Sequence, residues 1–443
     1  MNAHRCGVPE VADPGISILV RRPGEAAVQL HTGLANLEHA VPIGPDTAFN
    51  VGSVAKQITA HLVLLAVQDG LLALDQSVNA LLPRLQVRDI TITDLITHRS
   101  GLRDAESLLS LAGFRDLDHY TADDLVNLAY RQQQGAVPED QFLYSNTNYL
   151  LLAKILETVH GINLADLART CLFVPLGMTA THFKTDPRQL IPHAACAYQP
   201  TSDGWQHTAR PAALPGPGTL WTTPTDLDRW LGHLADRWHQ AGLGLPDQDV
   251  VPYRAADHAA HLYGVGLYAD ARPAQRGVFH YGHEHGFSAA AHLAATGARV
   301  VCMSNSDTIA ADRVAATLCI ELRGNHIGDL EGVLARAAEE VSVASRDPSR
   351  ANRDSAQPDI ASHTGLGTFL CTDVPGTLRL TRKRGALYLW RRGRGDQLVS
   401  SGPLSHAGPG YRLTMRPAGR HDAAPDGFTL DLDRAPGLYF KRQ

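Results

Sequence analysis

The sequence predicts an α/β (α+β) protein, one sheet with an inserted helical region followed by a small C-terminal antiparallel β-barrel. Strand-type runs stand at both ends of the first 343 residues, with helix-type periodicity between them. A polar, apolar-poor stretch over 344–362 then has the composition of a linker, and beyond it come only short β-type runs separated by Gly, Pro and Asp turns. A chain of 443 residues also exceeds the roughly 250 to 300 at which one core stops growing, so two or more domains are expected.

Taken in order, Gly15–Arg21 and Ala27–Gly33 read as a hairpin about the turn-former Pro23-Gly24. From Gly52 the pattern becomes helical, with Val54, Ile58, Leu62, Leu65 and Ala66 at three- and four-residue steps until Gly70 closes it. Helical patterns recur over 121–133, over 147–160 with Gly161 as a stop, and over 224–239 behind Thr223-Pro224. Strand signals return over 262–269, 277–281, 287–294 and 299–304, and 308–322 is again helical. After the linker, the runs 376–381, 386–390, 411–415, 428–432 and 438–440 predict the small antiparallel barrel.

Composition narrows the function. With 44% hydrophobic and 19% charged residues the chain is ordinary globular protein, and a net charge of -5 gives no electrostatic footprint for nucleic acid or an anionic membrane. The six cysteines form no CxxC pair, which fits free thiols in a reducing compartment. Met1–Ala12 lacks the apolar core of a signal peptide, and no window approaches the roughly 18 apolar residues of a transmembrane helix. A cytoplasmic protein acting on a small-molecule or peptide substrate is expected, with no nucleic-acid or membrane partner; nothing in the sequence sets its oligomeric state.

Ser53-Val-Ala-Lys56 sits at the start of the first long helix, where residues three apart share a face about one turn apart. A serine is a weak nucleophile until a base takes its proton, and a lysine can serve if burial or a nearby cation disfavours its charged form. A helix N-terminus also favours negative charge developing near Ser53. On its own SxxK is a weak signal, since a capping Ser with a Lys one turn later arises often by chance. Its company strengthens it: Tyr144-Ser145-Asn146 precedes a helix, and His280-Tyr281-Gly282 lies in a predicted strand.

These three boxes, in this order, resemble the serine β-lactamase-related family, the branch that holds class C β-lactamases, D-aminopeptidases, D-alanyl-D-alanine carboxypeptidases and esterases. Ile92–Leu102 is similar to the family's LLTHTSGL stretch, Pro175–Met178 to its PLGM turn, Thr219–Asp226 to its GLxSTxxD stretch, and Gly286–Ser288 to the GFS after the third box. The likeness covers about 15–325, and the C-terminal part resembles the lipocalin-like β-domain that some members append. It implies a catalytic domain over 1–343, an antiparallel sheet flanked by helices with a helical lobe inserted over about 71–215, then the linker 344–362 and a β-domain over 363–443.

By the same resemblance Ser53 attacks the acyl carbon, Lys56 and Tyr144 share proton transfer, and Asn146 orients the substrate amide. His280 and Gly282 line the substrate-binding side, with His280 bonding the Tyr144 system or a substrate carboxylate. The backbone N–H groups of Ser53 and His283 form an oxyanion hole. No cofactor and no metal are required. Each residue also has a plainer reading: Tyr144 as a satisfied core aromatic, Asn146 as a helix cap, His280 as an ordinary strand histidine. Tyr281 departs from the small middle residue usual in the third box and is expected to narrow the pocket. The lack of Lys at position 280 argues against carboxypeptidase-like carboxylate binding and against true β-lactamase activity.

Three other functions compete. The run His280-Tyr-Gly-His283-Glu284-His285 raises a metal hydrolase, although it is not HExxH and strand alternation puts Glu284 opposite His283 and His285. A peptide cyclase or transacylase, passing a peptidyl thioester to an amine, keeps the same acyl-enzyme and changes the acceptor. A non-catalytic binding protein would have kept the fold and lost turnover, against the evidence of intact boxes.

Overall fold

The computed structural model describes residues 13–114, 118–136, 141–202, 204–208, 212–240, 251–254, 260–270, 277–306, 308–322, 364–416 and 425–443. The expected linker over 344–362 lies outside them. Two compact units are formed, each discontinuous in sequence: Met1–Leu62 with Ile162–Asn352, and Val63–Gly161 with Arg353–Gln443. The helices that bear on function are α1 (Ala55–Gln68), α2 (Ile92–Ile96), α3 (Ala105–Leu111), α4 (Ala122–Arg131), α5 (Asn146–His160), α6 (Pro224–Gln240) and α7 (Ala311–Glu321).

The first unit is built on an eight-stranded sheet. Its strands are β1 (Ile16–Arg21), β2 (Val28–Thr32), β3 (Val251–Arg254), β4 (Ala260–Gly264), β5 (Leu267–Asp270), β6 (Val278–Glu284), β7 (Phe287–Leu293) and β8 (Arg299–Ser304). They are antiparallel throughout, in the order β3-β4-β5-β6-β7-β8-β1-β2. The predicted hairpin of β1 and β2 is thereby joined to the distant strands through β8, with Ile18 opposite Cys302.

Every residue of β7 is buried because both sheet faces are covered, which erases the alternation expected of a half-exposed strand. On one face α7 packs Ala311, Val314, Ala315 and Leu318 against Ile16, Ile18, Val20, Ala290, Val300 and Cys302. Helix α6 packs on β1, β7 and β8, and its Trp230 Nε1 donates to Gln57 Oε1 of α1 at 2.8 Å. The buried carboxylate of Asp228 binds Arg21 at 2.8 Å and Arg299 at 2.9 Å, pinning α6 to neighbouring strand ends.

One expected strand, 262–269, is divided into β4 and β5. Val265 (φ 54°) and Gly266 (φ 73°) both take left-handed backbone, the requirement of a tight two-residue hairpin turn. The apolar run continues through the turn, so periodicity alone reads straight across it.

In the second unit, α2 and α4 each open with a capping box, Thr91 with Asp94 and Thr121 with Asp124, while α5 ends at Gly161 in left-handed conformation. The remaining strands, β9 (Thr364–Leu370), β10 (Leu378–Lys383), β11 (Ala386–Arg391), β12 (Arg394–Ser400), β13 (Ser405–Gly408), β14 (Tyr411–Arg416), β15 (Gly427–Leu432) and β16 (Ala435–Arg442), close into an eight-stranded antiparallel barrel. Phe369, Phe428 and Phe440 are buried against one another in its core.

Within this unit the barrel is bonded to the helices. Arg103, just before α3, reaches Asp373 at 3.2 Å and the Pro436 carbonyl at 2.8 Å. Arg391 donates to the Ser110 carbonyl at 3.1 Å, and a Cβ on Gly113 would fall 2.9 Å from the Arg391 backbone. Among the described residues no helix is long and apolar enough to cross a membrane, and no disulfide joins the cysteines.

Candidate active site

Ser53 lies on a short turn of 3-10 helix, Gly52–Val54, that feeds α1; the helix expected from Gly52 begins regularly only at Ala55. Gly52 takes φ 47°, and its N–H is held by Asn50 Oδ1 at 3.0 Å. One turn on, Lys56 is completely buried, with Nζ 2.9 Å from Ser53 Oγ and 2.9 Å from the Pro217 carbonyl oxygen. The predicted one-turn spacing thus brings the amine and hydroxyl into direct contact. The β4–β5 turn closes on the same segment, for a Cβ on Gly266 would stand 2.5 Å from the Lys56 carbonyl oxygen.

Strand β6 approaches Ser53 through backbone alone. A Cβ on Gly282 would lie 1.9 Å from the Val51 carbonyl oxygen and 3.2 Å from Ser53 N, and one on Gly52 would lie 3.0 Å from His283 N. Only glycine at both positions allows this proximity, which puts the backbone of His283 beside the Ser53 turn. His280 is buried on the same strand: Nδ1 donates to the Tyr281 carbonyl at 2.6 Å, so Nε2 is the acceptor facing the Tyr263 hydroxyl at 3.4 Å.

Tyr281 points to the opposite face, packing on Phe279 and His292 and against the core under α7. It therefore does not crowd the face that carries His280 and Gly282, contrary to the expectation from its size; the two-residue period of the strand turns the ring away.

Tyr144 and Asn146 belong to the second unit, where His98 organises their loop. The buried His98, at φ 58°, accepts the Leu143 N–H on its carbonyl at 2.8 Å and the Ser145 N–H on Nδ1 at 3.3 Å. Asn148 Nδ2 lies 2.9 Å from the same Nδ1, and the His98 ring packs 4.4 Å from that of Tyr144. Both Nδ1 contacts are donors, which puts the imidazole proton on Nε2.

Asn146 is the first residue of α5 and does not cap it: Ser145 occupies the cap position, without a side-chain bond. Instead, Asn146 N donates to Asp104 Oδ2 at 2.8 Å and Nδ2 donates to Glu106 Oε2 at 2.7 Å. A carboxylate only accepts, so Glu106 fixes which end of the amide faces it. Burial pushes the Asp104 carboxyl upward and the Glu106 charge adds to this, while Arg434 and the N–H groups of Ser107 and Asn146 oppose it. Arg434, between β15 and β16, places its guanidinium 4.8 Å from the Tyr144 ring centroid, and its carbonyl accepts the Asp104 N–H at 2.9 Å.

Ser53, Lys56, Gly282 and His283 are thus gathered in the first unit, with His280 on the strand that reaches them; Tyr144 and Asn146 are held together in the second. Sequence reasoning missed Asp104, Glu106 and Arg434. A capping pattern at Asp104 with Ser107 was available, but nothing local marks Arg434 as a partner of residues near position 104. Among the described residues no three His, Cys, Asp or Glu side chains gather as a metal site.

Comparison with known proteins supports the same frame. A profile of the Beta-lactamase family matches residues 8–322, well over half the chain. A D-aminopeptidase of Gluconobacter oxydans is 28% identical over 299 residues, 66% of this chain and 56% of that enzyme, so the chain spans little more than half the length of this relative. The structure of D-amino acid amidase from Ochrobactrum anthropi SV3, complexed with D-phenylalanine, superposes with TM-score 0.57 at 25% identity, covering 66% of this chain and 87% of the amidase. SurE, at 24% identity and TM-score 0.57, covers 98% of this chain and is itself covered to 96%, a likeness of fold that extends through the barrel.

Proposed function

Since this chain belongs to the beta-lactamase family, we propose that it is a serine acyl-enzyme hydrolase or transacylase acting on a peptide-like amide, ester or thioester of D configuration. The observation that carries the reading is the 2.9 Å contact between Ser53 Oγ and the Nζ of a wholly buried Lys56. Burial penalises an ammonium, and an uncharged amine at that distance can take a hydroxyl proton.

In this reading Ser53 Oγ bonds to the acyl carbon as its proton passes to Lys56 and Tyr144. The N–H groups of Ser53 and His283 stabilise the oxyanion. The proton then moves to the departing amine, alcohol or thiol as its bond to the acyl carbon breaks. Water or an amine next attacks the Ser53 ester, giving up a proton to the same pair and restoring the hydroxyl. Asn146 orients the substrate amide and His280 lines the acyl side. D-Configured substrates are favoured because relatives are named D-aminopeptidase and D-amino acid amidase.

The test is intact-protein mass spectrometry with D- and L-phenylalanine amides and D- and L-peptidyl esters and thioesters, with and without added amine. A mass increment on Ser53 with D donors, a product burst, and loss of both in Ser53→Ala are expected. Absence of any Ser53 adduct, including with a fluorophosphonate, would sink the reading. Faster product formation with amine than with water would assign the transacylase.

A further inference from the structure

We propose that Arg434, carried by the barrel, is a positioning residue for Tyr144, bracing the ring and supplying a fixed positive charge that favours the phenolate as a proton acceptor. The proposal rests on the reading above, in which Tyr144 shares the proton of Ser53. It gives the barrel a part in the chemistry.

Several contacts converge on it. The guanidinium stands 4.8 Å from the centroid of the Tyr144 ring, a cation–π distance. The Arg434 carbonyl accepts from Asp104 N at 2.9 Å, so the turn carrying it is tied to the residue whose Oδ2 holds Asn146 N at 2.8 Å. The barrel wall behind that turn is anchored by Arg103, which donates to the Pro436 carbonyl at 2.8 Å and pairs with Asp373 at 3.2 Å. A cation mounted on a strand end and bonded on both flanks is held more firmly than one on a free loop.

The charge is kept. Surrounding protein partly desolvates the Arg434 guanidinium, which opposes protonation, but Asp104, Tyr144, Asp433 and Glu106 together outweigh this and hold it charged. Within this unit the charged and titratable groups facing Tyr144 or Arg434 include His98, Asp104, Glu106 and Asp433. Arg434 remains exposed despite these neighbours, so solvent screens part of its field. The effect on the phenol is accordingly set at about one unit or less.

A bracing contact alone and a charge effect give different results, and full-length Arg434→Met and Arg434→Lys separate them. The Tyr144 phenolate is titrated by ultraviolet difference absorbance, each protein against its own Tyr144→Phe version. The titration midpoint is expected to rise by about half to one unit in Arg434→Met and to return most of the way in Arg434→Lys. Fluorophosphonate labelling of Ser53 at neutral pH should slow by about three- to ten-fold in Arg434→Met, the same shift expressed as a loss of phenolate. An unchanged midpoint in folded Arg434→Met overturns the proposal. If Arg434→Met does not fold, Arg434→Gln, which can still hydrogen-bond but has no charge, takes its place in the same titration. Because the titration needs no reaction at Ser53, failure of labelling in the unaltered chain strikes the proposed function alone.

Discussion

Lys56 Nζ stands 2.9 Å from Ser53 Oγ, and a contact of 2.9 Å to the Pro217 carbonyl helps keep it aimed there. A residue that accepts a proton must be able to lose one, which a guanidinium effectively cannot. Lys56→Arg and Lys56→Met are therefore both expected to slow acylation of Ser53 on the order of a thousand-fold. Rapid-mixing mass spectrometry reads the rate; wild-type acylation in Lys56→Arg would remove Lys56 as the base.

Gly282→Ala is expected to disable the site without touching a polar side chain. Its Cβ would fall 1.9 Å from the Val51 carbonyl oxygen, backbone against backbone, so β6 or the Ser53 turn must move. A stability loss of about 1 to 3 kcal/mol is anticipated, together with at least a ten-fold slower acylation. Thermal unfolding alongside fluorophosphonate labelling separates the two effects. Normal labelling in this variant would show that the close approach of β6 is dispensable.

At His98 the backbone, the acceptor and the ring make separable contributions. Asn tolerates left-handed backbone and retains an acceptor, whereas Ala has neither property and leaves the Ser145 N–H without this partner. Urea unfolding should find His98→Ala about 2 to 4 kcal/mol less stable and His98→Asn closer to the parent, by at least about 1 kcal/mol. Equal losses in the two variants would assign the stabilisation to ring packing on Tyr144.

Acid should weaken the protein through His292. Burial lowers its pKa from 6.5 to about 3, and its ring packs on those of Phe279 and Tyr281 on the α7 side of the sheet. The folded value is below the unfolded one, so the unfolded chain binds the extra proton. Stability is full above about pH 6.5 and falls as pH drops toward 3. The loss at pH 4 comes to about 3 kcal/mol. His292→Phe should be less sensitive to acid by this amount in unfolding experiments across that range; identical pH dependence in the two proteins would contradict the assignment.

Much of this architecture is legible in the sequence where short-range periodicity meets a clear stop. The β1–β2 hairpin about Pro23-Gly24 and the α5 helix ending at Gly161 are of that kind. So is the Ser53–Lys56 contact, which one helical turn dictates. The barrel is readable as a type, yet the sequence marks only five of its eight strands. In β12, Arg394-Gly-Asp-Gln carries too few apolar side chains for alternation to show, and β13 has only four residues. Tyr281 misled because the size of a side chain says nothing of the face it occupies, which the strand register decides. The contacts of Asp104 and Arg434 were invisible, since they depend on how a barrel turn meets a helix from a remote stretch of chain.

Arg103 and Asp373 are 270 residues apart, yet together they hold one unit whose first half leaves the ribosome long before its second. At roughly 5 to 20 residues per second, the arginine waits about 15 to 50 seconds for its counter-charge to be synthesised. Through that interval the nascent helices present a cation bound for the interior with nothing to neutralise it, a natural point of engagement for a chaperone. A nonsense mutation upstream of Asp373 would make the wait permanent, so it should destroy the helices as well as the barrel.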